Sequence, residues 1–385
     1  MSLPTYRQLP LSMKLFAYGF VAIWCLIAAF PILWVAVISF KLPIDSFDHN
    51  PLVVLLGPNT VAAGKGISVF DLVMFIGLVW ALFRVLKSKF MIWGRHSGFA
   101  AFPLLGWASV SLGFMLLIVV TLFMVLPGIS AFVNPNLGFL GQGIIGFTLE
   151  HYEAIWVERE FYRNFINSMV VTFGVVTISL TIGTLAGYGL ARSGTKLAFW
   201  LLVVALVFRA LPHSVLVAGY MPVFINSAEI LAPIFGDAAP TFYGQPLAVI
   251  AVLVAINQPF TIWMLRSFFQ NIPVELDESA RVDGCNHIQA FRHVIMPVMW
   301  PGVITTGLFS FLLAYNDFLV TSLLLDMQNQ TMVPAIANFF NMETTSTDQV
   351  QAVAAAVSII APLFVLVMVF QRQIVSGLTA VAVKG

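Results

Sequence analysis

Long apolar runs alternate with short polar segments along most of this chain, and this alternation is the strongest pattern in its sequence. The hydrocarbon core of a bilayer is about 30 Å thick, so a spanning helix needs about 20 apolar residues. The pattern therefore predicts an all-α polytopic membrane protein with about eight transmembrane helices: Leu15–Phe40, Ser68–Leu86, Pro103–Pro127, Ser168–Ala191, Ala198–Phe224, Leu247–Phe269, Val303–Leu325 and Val350–Phe370.

Composition agrees with this prediction. Hydrophobic residues make up 60% of the chain and charged residues only 9%, far from the values of ordinary globular domains. The net charge of +1 argues against a nucleic-acid partner, which would require a basic face. The first apolar run is too long for a cleaved signal peptide, so we expect it to remain as a spanning helix. Cys25 and Cys285 are expected at different depths and are not expected to pair.

Lys and Arg are concentrated in alternate loops, which predicts the orientation in the membrane. With the N-terminus inside, Arg84, Arg192, Arg281 and Arg372 all fall on the cytoplasmic side. Both termini are therefore predicted to be cytoplasmic, and the long polar segment 128–167 is predicted to lie outside. Its stretch FTLEHYEAIWVEREFYRNFINS mixes aromatic and acidic residues and predicts an amphipathic helix along the membrane surface.

A polar segment, DESARVDGCNHIQAFRHVIMPVMWPG, lies between two apolar runs on the predicted cytoplasmic side. Pro273 is predicted to start a helix whose first turns carry acidic residues, and Gly284 allows a sharp reversal of the chain. Ile288, Phe291 and Ile295 recur at helical spacing and predict a second short helix with an apolar stripe. This elbow of two helices suits a docking surface and, equally, a loop that only connects two spans.

The motif residues of this elbow resemble the EAA loop of ABC importer permeases, through Glu278, Ser279, Ala280, Gly284, Val294, Met296 and Pro297. The flanking stretches FFQNIPVELDESARVDG, AYNDFLVTSLLL and FQRQIVSGLTAVAVKG look like the carbohydrate-uptake branch, and in particular like the second permease of maltose-type transporters. The resemblance covers roughly residues 15–50 and 145–385. It implies the six-helix core of a type I ABC importer permease in the cytoplasmic (inner) membrane.

The remaining residues then form an insertion in that core. The predicted domains are an N-terminal segment with the first span (1–50), an inserted region with a transmembrane hairpin (51–146) and the permease core (147–385). The core includes the coupling loop 273–302 and the C-terminal tail 371–385. The hairpin is expected to pack peripherally rather than contact a partner permease or lipid for a specific purpose. Val381 stands where similar tails commonly carry glycine.

The resemblance also implies roles for residues on the cytoplasmic side. The residues expected to couple to an ATPase are Glu278, Ser279, Ala280, Asp283, Gly284 and Pro297. Those expected to contact the ATPase from the tail are Gln373, Ser376, Gly377 and Leu378. The implied partners are a homologous permease in a heterodimer, two cytoplasmic ATPase subunits, an extracytoplasmic sugar-binding protein and membrane lipid.

No cofactor is expected in this chain, because ATP and Mg would be bound by the partner ATPase. The stretch GPNTVAAGKG approaches a phosphate-binding loop, but Asn59 stands where the motif requires its first glycine. The histidines show no metal-ligand spacing, and no hydrolase motif is present, so neither a metal site nor a catalytic residue is predicted.

Four residues within the predicted spans are candidates for the translocation path. Arg209 lies near mid-depth, where a charge usually faces a cavity or a partner, so it either lines the path or pairs with Asp317. Tyr315, Asn316 and Asp317 lie about halfway along the seventh predicted span and offer an aromatic face and polar groups to a sugar. These groups are also the kind that bind helices together. By resemblance the triplet lies near the translocation path.

The function predicted from these features is that of a non-catalytic permease subunit in an ATP-driven sugar importer working by alternating access. The expected substrate is a di- or oligosaccharide, possibly an alpha-glucoside, rather than a polyol or glycerol phosphate. An ion-coupled secondary transporter is the alternative, and it would use a charge pair such as Arg209 with Asp317. A membrane-embedded enzyme with Asp317 or His213 as acid or base ranks last, since no second catalytic group converges there.

Overall fold

The apolar runs form long helices in the computed structural model, which describes residues 10–78, 80, 81, 84, 126–193, 195–209, 213–340 and 345–382. Within these residues, five helices are long and apolar enough to cross a membrane: Leu11–Ser39, Phe161–Arg192, Pro246–Gln270, His287–Tyr315 and Ser346–Gln371. A bent pair, Val215–Ile225 with Ser227–Ala238, is a sixth candidate with a 43° bend. The predicted all-α polytopic fold is therefore confirmed.

The elements are numbered here in chain order. They are α1 (Leu11–Ser39), α2 (Pro43–Ser46), α3 (Pro51–Leu56), α4 (Pro58–Ala62), β1 (Gly66–Ser68), α5 (Val69–Leu78), α6 (Leu126–Val133), β2 (Gly143–Gly146), α7 (Glu150–Glu153), α8 (Phe161–Arg192), α9 (Lys196–Arg209), α10 (His213–Ile225), α11 (Ser227–Phe235), α12 (Pro246–Gln270), α13 (Glu275–Val282), α14 (His287–Ala290), α15 (Met296–Tyr315), α16 (Leu319–Leu324), α17 (Met332–Ala337) and α18 (Ser346–Ala382). Two π-helical turns, Ala154–Glu158 and Phe291–Ile295, follow α7 and α14.

The first, fourth, sixth and eighth predicted spans coincide with long helices, and these predictions are confirmed. The fifth predicted span includes most of α9, which ends at Arg209, and most of α10, which begins at His213; the residues between them lie outside the described part of the chain, so a single continuous helix stays a prediction. The seventh was wrong in its limits: α15 ends at Tyr315, because the Asp317 side chain accepts from the Thr321 backbone N–H and starts the new helix α16. Of the predicted hairpin, α5 forms the first part of the span Ser68–Leu86, and nearly all of the span Pro103–Pro127 lies outside the described residues.

Contacts divide the chain into two units, Met1–Glu158 with Phe339–Ser358, and Arg159–Asn338 with Ile359–Gly385. The second unit is built on α8, which packs against α12 and α15. Gly183 and Gly187 of α8 face α12, where small residues allow two backbones to approach closely in a membrane. A Cβ at Gly187 would lie 3.0 Å from the Arg266 backbone nitrogen.

This close approach predicts a large effect of substitution at Gly187. Gly187→Val is expected to reduce the yield of folded permease at least five-fold, because the added methyl groups push α8 away from α12. Gly189→Val is the matched control, since a Cβ there meets no atom within 4 Å. The measurement is monodisperse protein recovered from the membrane fraction. Equal yields of the two variants would contradict tight packing at Gly187.

The first unit contains the described parts of the predicted insertion. Strands β1 and β2 pair antiparallel, with Ile67 opposite Ile145. The Lys41 ammonium donates to the Gly146 carbonyl oxygen, and the His151 ring nitrogen Nε2 lies 2.9 Å from the Lys41 carbonyl oxygen. Chain segments on both sides of the insertion are therefore tied together by buried polar contacts.

The predicted amphipathic surface helix was wrong as a single element. Helix α7 is four residues long, and the π turn that follows ends at Glu158. Glu160 then takes a left-handed backbone conformation with φ of 51°, which separates this segment from α8. His151 and Ile155 are buried in the first unit, with 4% and 0% of their surface exposed. The segment is therefore part of a packed core.

Burial lowers the pKa of His151 from its ordinary value of 6.5, although the bond to the Lys41 carbonyl opposes this shift. The folded state therefore holds fewer protons than the unfolded state between the two pKa values, and stability rises with pH in that window. Local stability should be full above pH 6.5 and should decrease as the pH falls below it. Hydrogen exchange of the backbone amides around β2, compared at pH 7.5 and 5.5 after correction for the intrinsic rate, measures this loss. A His151→Gln variant should lack it.

Candidate functional site

The predicted elbow is present as two helices joined by a tight turn. Helix α13 begins at Glu275, two residues after the predicted start at Pro273, and ends at Val282. Gly284 has φ of +90°, a conformation that L side chains rarely adopt, so the glycine permits the reversal. The Asn286 side chain accepts from the Gln289 backbone N–H and the Gln289 side chain accepts from the Asn286 N–H, forming a capping box that starts α14.

The second helix then runs through the π turn into α15, so the elbow leads directly into a candidate span, His287–Tyr315. The predicted apolar stripe was wrong at Ile288, which has 76% of its surface exposed, whereas Ile295 is fully buried. The π turn places one extra residue between these positions, which shifts the helical periodicity and rotates Ile288 away from the core.

The coupling residues predicted from sequence lie mainly on the outer side of this elbow. The exposed ones are Glu278, Ser279, Asp283, Gly284 and Pro297, whereas Ala280 is buried with 4% exposure. Val282 before the turn is 88% exposed and Ile288 after it is 76% exposed, and we call these two apolar side chains the tip of the elbow. Exposed apolar groups with a polar rim are characteristic of a surface that binds another protein.

The base of the elbow is fixed to the end of α8 by a buried ion pair. The Arg192 nitrogen Nη2 lies 2.7 Å from the Asp277 oxygen Oδ2, and the two side chains are only 17% and 14% exposed. The Tyr188 hydroxyl donates to the other oxygen of Asp277 at 2.7 Å. The Arg192 guanidinium also donates to the backbone carbonyls of Phe269 and Ile272, at 3.4 and 3.2 Å. We call Tyr188, Arg192 and Asp277 the latch.

Aromatic packing surrounds the latch. The Tyr188 ring lies 4.8 Å from the Phe291 ring and 5.4 Å from the Phe269 ring, measured between centroids. Phe269 and Ile295 are fully buried in the same hydrophobic cluster. Hydrogen bonds to charged groups are stronger when water is excluded, so this shell strengthens the connection between the elbow and α8. Sequence inspection missed the latch, because Arg192 and Asp277 are far apart in the chain.

The four residues assigned to the translocation path occupy different environments. The Arg209 guanidinium carbon lies 4.6 Å from the centroid of the Phe260 ring, a cation–π contact. Tyr315 is 2% exposed, and its hydroxyl donates to the Ile359 carbonyl at 3.1 Å. Asn316 is exposed at the end of α15.

Two further predictions concern the tail and metals. Gln373, Ser376, Gly377 and Leu378 lie on the last turns of α18, so the backbone of the predicted tail continues the last helix to Ala382. Among the residues that the structure describes, no group of three or more His, Cys, Asp or Glu side chains is placed to hold a metal ion.

Several apolar spans and an exposed helical elbow, joined to α8 by the latch, define a polytopic membrane protein. The model of the family described as "binding-protein-dependent transport system inner membrane component" matches residues 179–379, more than half of the chain. The chain belongs to this family. The matched range contains the elbow, the latch and most of the tail.

Similar proteins support the predicted resemblance to carbohydrate-uptake ABC permeases, which is confirmed. The diacetylchitobiose uptake system permease protein DasC of Streptomyces coelicolor is 35% identical over 62% of this chain and 81% of its own length. The trehalose transport system permease protein SugB of Mycobacterium tuberculosis is 30% identical over 62% of this chain and 82% of its own length. A bacterial ABC transporter that imports alginate is similar at 18% identity and a TM-score of 0.47, covering 69% of this chain and 94% of its own, a likeness too weak to support an argument.

Proposed function

We propose that this chain is the membrane-spanning permease subunit of an ATP-driven importer for a sugar. The observation that carries the proposal is the elbow: its apolar tip at Val282 and Ile288 is exposed, while its base is held in a buried ion pair. A docking element of this kind transmits motion only if its tip binds a partner and its base stays attached to the membrane helices. Membership of a family of binding-protein-dependent transport components supplies the transport context.

The proposed substrate is a di- or oligosaccharide, with an alpha-glucoside as one candidate. The support comes from similar permeases that are named for diacetylchitobiose, trehalose and maltodextrin. All three names refer to compounds of two or more linked sugar units.

The proposed complex contains a homologous permease, two cytoplasmic ATPase subunits and an extracytoplasmic sugar-binding protein. ATP and Mg belong to the ATPase, and this chain contributes no catalytic group. Both termini would be cytoplasmic, which places the elbow on the ATPase side. Closure of the ATPase dimer would move the elbow, and the latch would pass that movement to α8 during alternating access.

Within this proposal, the exposed residues Glu278, Ser279, Asp283 and Gly284 contact the ATPase cleft, and Ala280 packs the elbow from inside. The tail residues on α18 form a second contact. We assign Asn316 and Arg209 to the translocation path because Asn316 is exposed and Arg209 is partly exposed. Tyr315 and Asp317 are assigned to positioning that path, since Tyr315 is buried and the Asp317 side chain accepts from the Thr321 backbone N–H in α16.

The proposal is tested by purifying the tagged chain after expression with its neighbouring genes and by measuring uptake in liposomes. The expected result is co-purification of an ATPase and a second permease, with uptake that requires ATP and an oligosaccharide-loaded binding protein. Uptake by the purified chain alone, driven by an ion gradient, would instead establish the secondary transporter.

A further inference from the structure

The segment after α1 has its polarity reversed relative to an ordinary globular surface. Its polar side chains Asp45 and Ser46 are buried, with 0% and 4% exposure. Its apolar side chains point outward instead: Ile44 is 64% exposed, Phe47 46%, Leu52 64%, Leu55 48% and Leu56 45%. We call these five side chains the outer patch. In α3, Val54 is the only buried residue.

Hydrogen bonds make this reversal stable. The Asp45 carboxylate accepts from the backbone N–H and side chain of both Asn59 and Thr60, at distances between 2.6 and 3.2 Å. Burial alone would raise the pKa of Asp45, but these hydrogen bonds outweigh it and lower the pKa, so the group stays ionised. The Ser46 hydroxyl donates to the Ile38 and Leu42 carbonyls. The buried polar groups thus fix α2 to α4 and to the end of α1, with the apolar side of α2 outward.

The position of α1 sets the depth of the outer patch. At 1.5 Å per residue the 29 residues of α1 extend about 43 Å, more than the roughly 30 Å of the hydrocarbon core. Helix α3 packs against α1, and the Ser46 hydroxyl donates a hydrogen bond to the Ile38 carbonyl in the last turn of α1. The patch therefore lies beside the end of α1, at the boundary between acyl chains and headgroups. It continues the apolar surface of α1, whose most apolar 18-residue stretch has no buried residue.

We propose that the outer patch inserts into the acyl–headgroup boundary of the leaflet at which α1 ends, and anchors the first unit to lipid. A membrane suits a segment with buried polar and exposed apolar side chains, because the apolar side chains can enter the acyl chains while the polar edge stays at the headgroups. Asp48, His49 and Asn50 are exposed between α2 and α3 and supply the polar edge that faces headgroups and water. The segment after α1, which runs into the start of the insertion, thus gains a role as a lipid anchor.

The test uses the whole transporter in liposomes of phosphatidylcholine and phosphatidylglycerol. In a background with Cys25→Ser and Cys285→Ser, single cysteines at Leu52 or Leu55 carry an environment-sensitive fluorophore, and Asp48→Cys is the matched control on the polar edge. Nitroxide groups on lipid acyl chains should quench the probes at 52 and 55 at least three-fold more than the probe at 48. Iodide in the aqueous phase should instead quench the probe at 48 more strongly than the probes at 52 and 55.

Two outcomes would overturn the proposal. In the first, iodide quenches the probe at 52 as strongly as the probe at 48. In the second, the probe at 52 escapes both quenchers in the complex but becomes open to iodide in the isolated chain, which would identify a partner subunit as the occupant. Leu52→Ser with Leu55→Ser adds an independent readout: the segment Pro51–Leu56 should exchange its amide hydrogens faster in liposomes, while Asp48→Ser should leave that exchange unchanged.

Discussion

Gly284→Val is expected to abolish ATP-driven uptake, at least ten-fold below the unmodified permease, while the chain remains folded in the membrane. Gly284 has φ of +90°, and a β-branched residue there costs about 1–3 kcal/mol of backbone strain. No atom lies within 4 Å of a Cβ at this position, so the added side chain meets no clash. The turn relieves the strain by opening, which moves Val282 and Ile288 apart and destroys the tip.

Gly284→Asn provides the matched comparison, because asparagine tolerates positive φ better than other L residues. It should retain a substantial part of the uptake and of the ATPase co-purification that Gly284→Val loses. Both variants should elute from size exclusion like the unmodified chain. If valine and asparagine were equally active, the shape of the turn would have no part in coupling.

The sequence was sufficient to locate the elbow because the signals there are local. Gly284 marks the reversal, and the acidic first turn of α13 and the Asn286 capping residue lie within a few positions of it. The long apolar helices could also be predicted from the sequence, since α1, α8, α12 and α18 each contain an unbroken run of apolar residues. Such features depend on residues that are neighbours in the chain.

Features that depend on residues far apart in the chain could not be predicted from the sequence. The latch joins Arg192 to Asp277, 85 positions apart, and only the packing of α8 against the elbow brings them together. The exposure of Ile288 depends on the π turn, whose extra residue has no clear sequence signature. The end of α15 was predicted too late because the apolar run continues past Asp317, whereas the helix itself ends at Tyr315 and a new helix begins at Leu319.

Arg192→Glu is expected to separate ATP hydrolysis from sugar uptake, because the latch joins the elbow to the helix that must move. The substitution replaces an attraction by a repulsion next to Asp277 and removes the donors to the Phe269 and Ile272 carbonyls. Breaking a largely buried ion pair in this way costs about 3 kcal/mol. Uptake should fall at least ten-fold, while the ATPase still co-purifies and hydrolyses ATP, because Val282 and Ile288 remain exposed.

Three variants distinguish this coupling role from a general loss of folding. Lys196→Glu makes the same charge reversal at an exposed position close in sequence and should keep uptake within two-fold. Tyr188→Phe removes only the 2.7 Å bond to Asp277 and keeps the ring packing, so a loss of two- to five-fold is expected, with about 1 kcal/mol for one hydrogen bond. Arg192→Asp combined with Asp277→Arg should recover part of the uptake lost in Arg192→Glu. A parallel loss of uptake and ATP hydrolysis in Arg192→Glu would mean that the ion pair only holds the elbow in shape for docking.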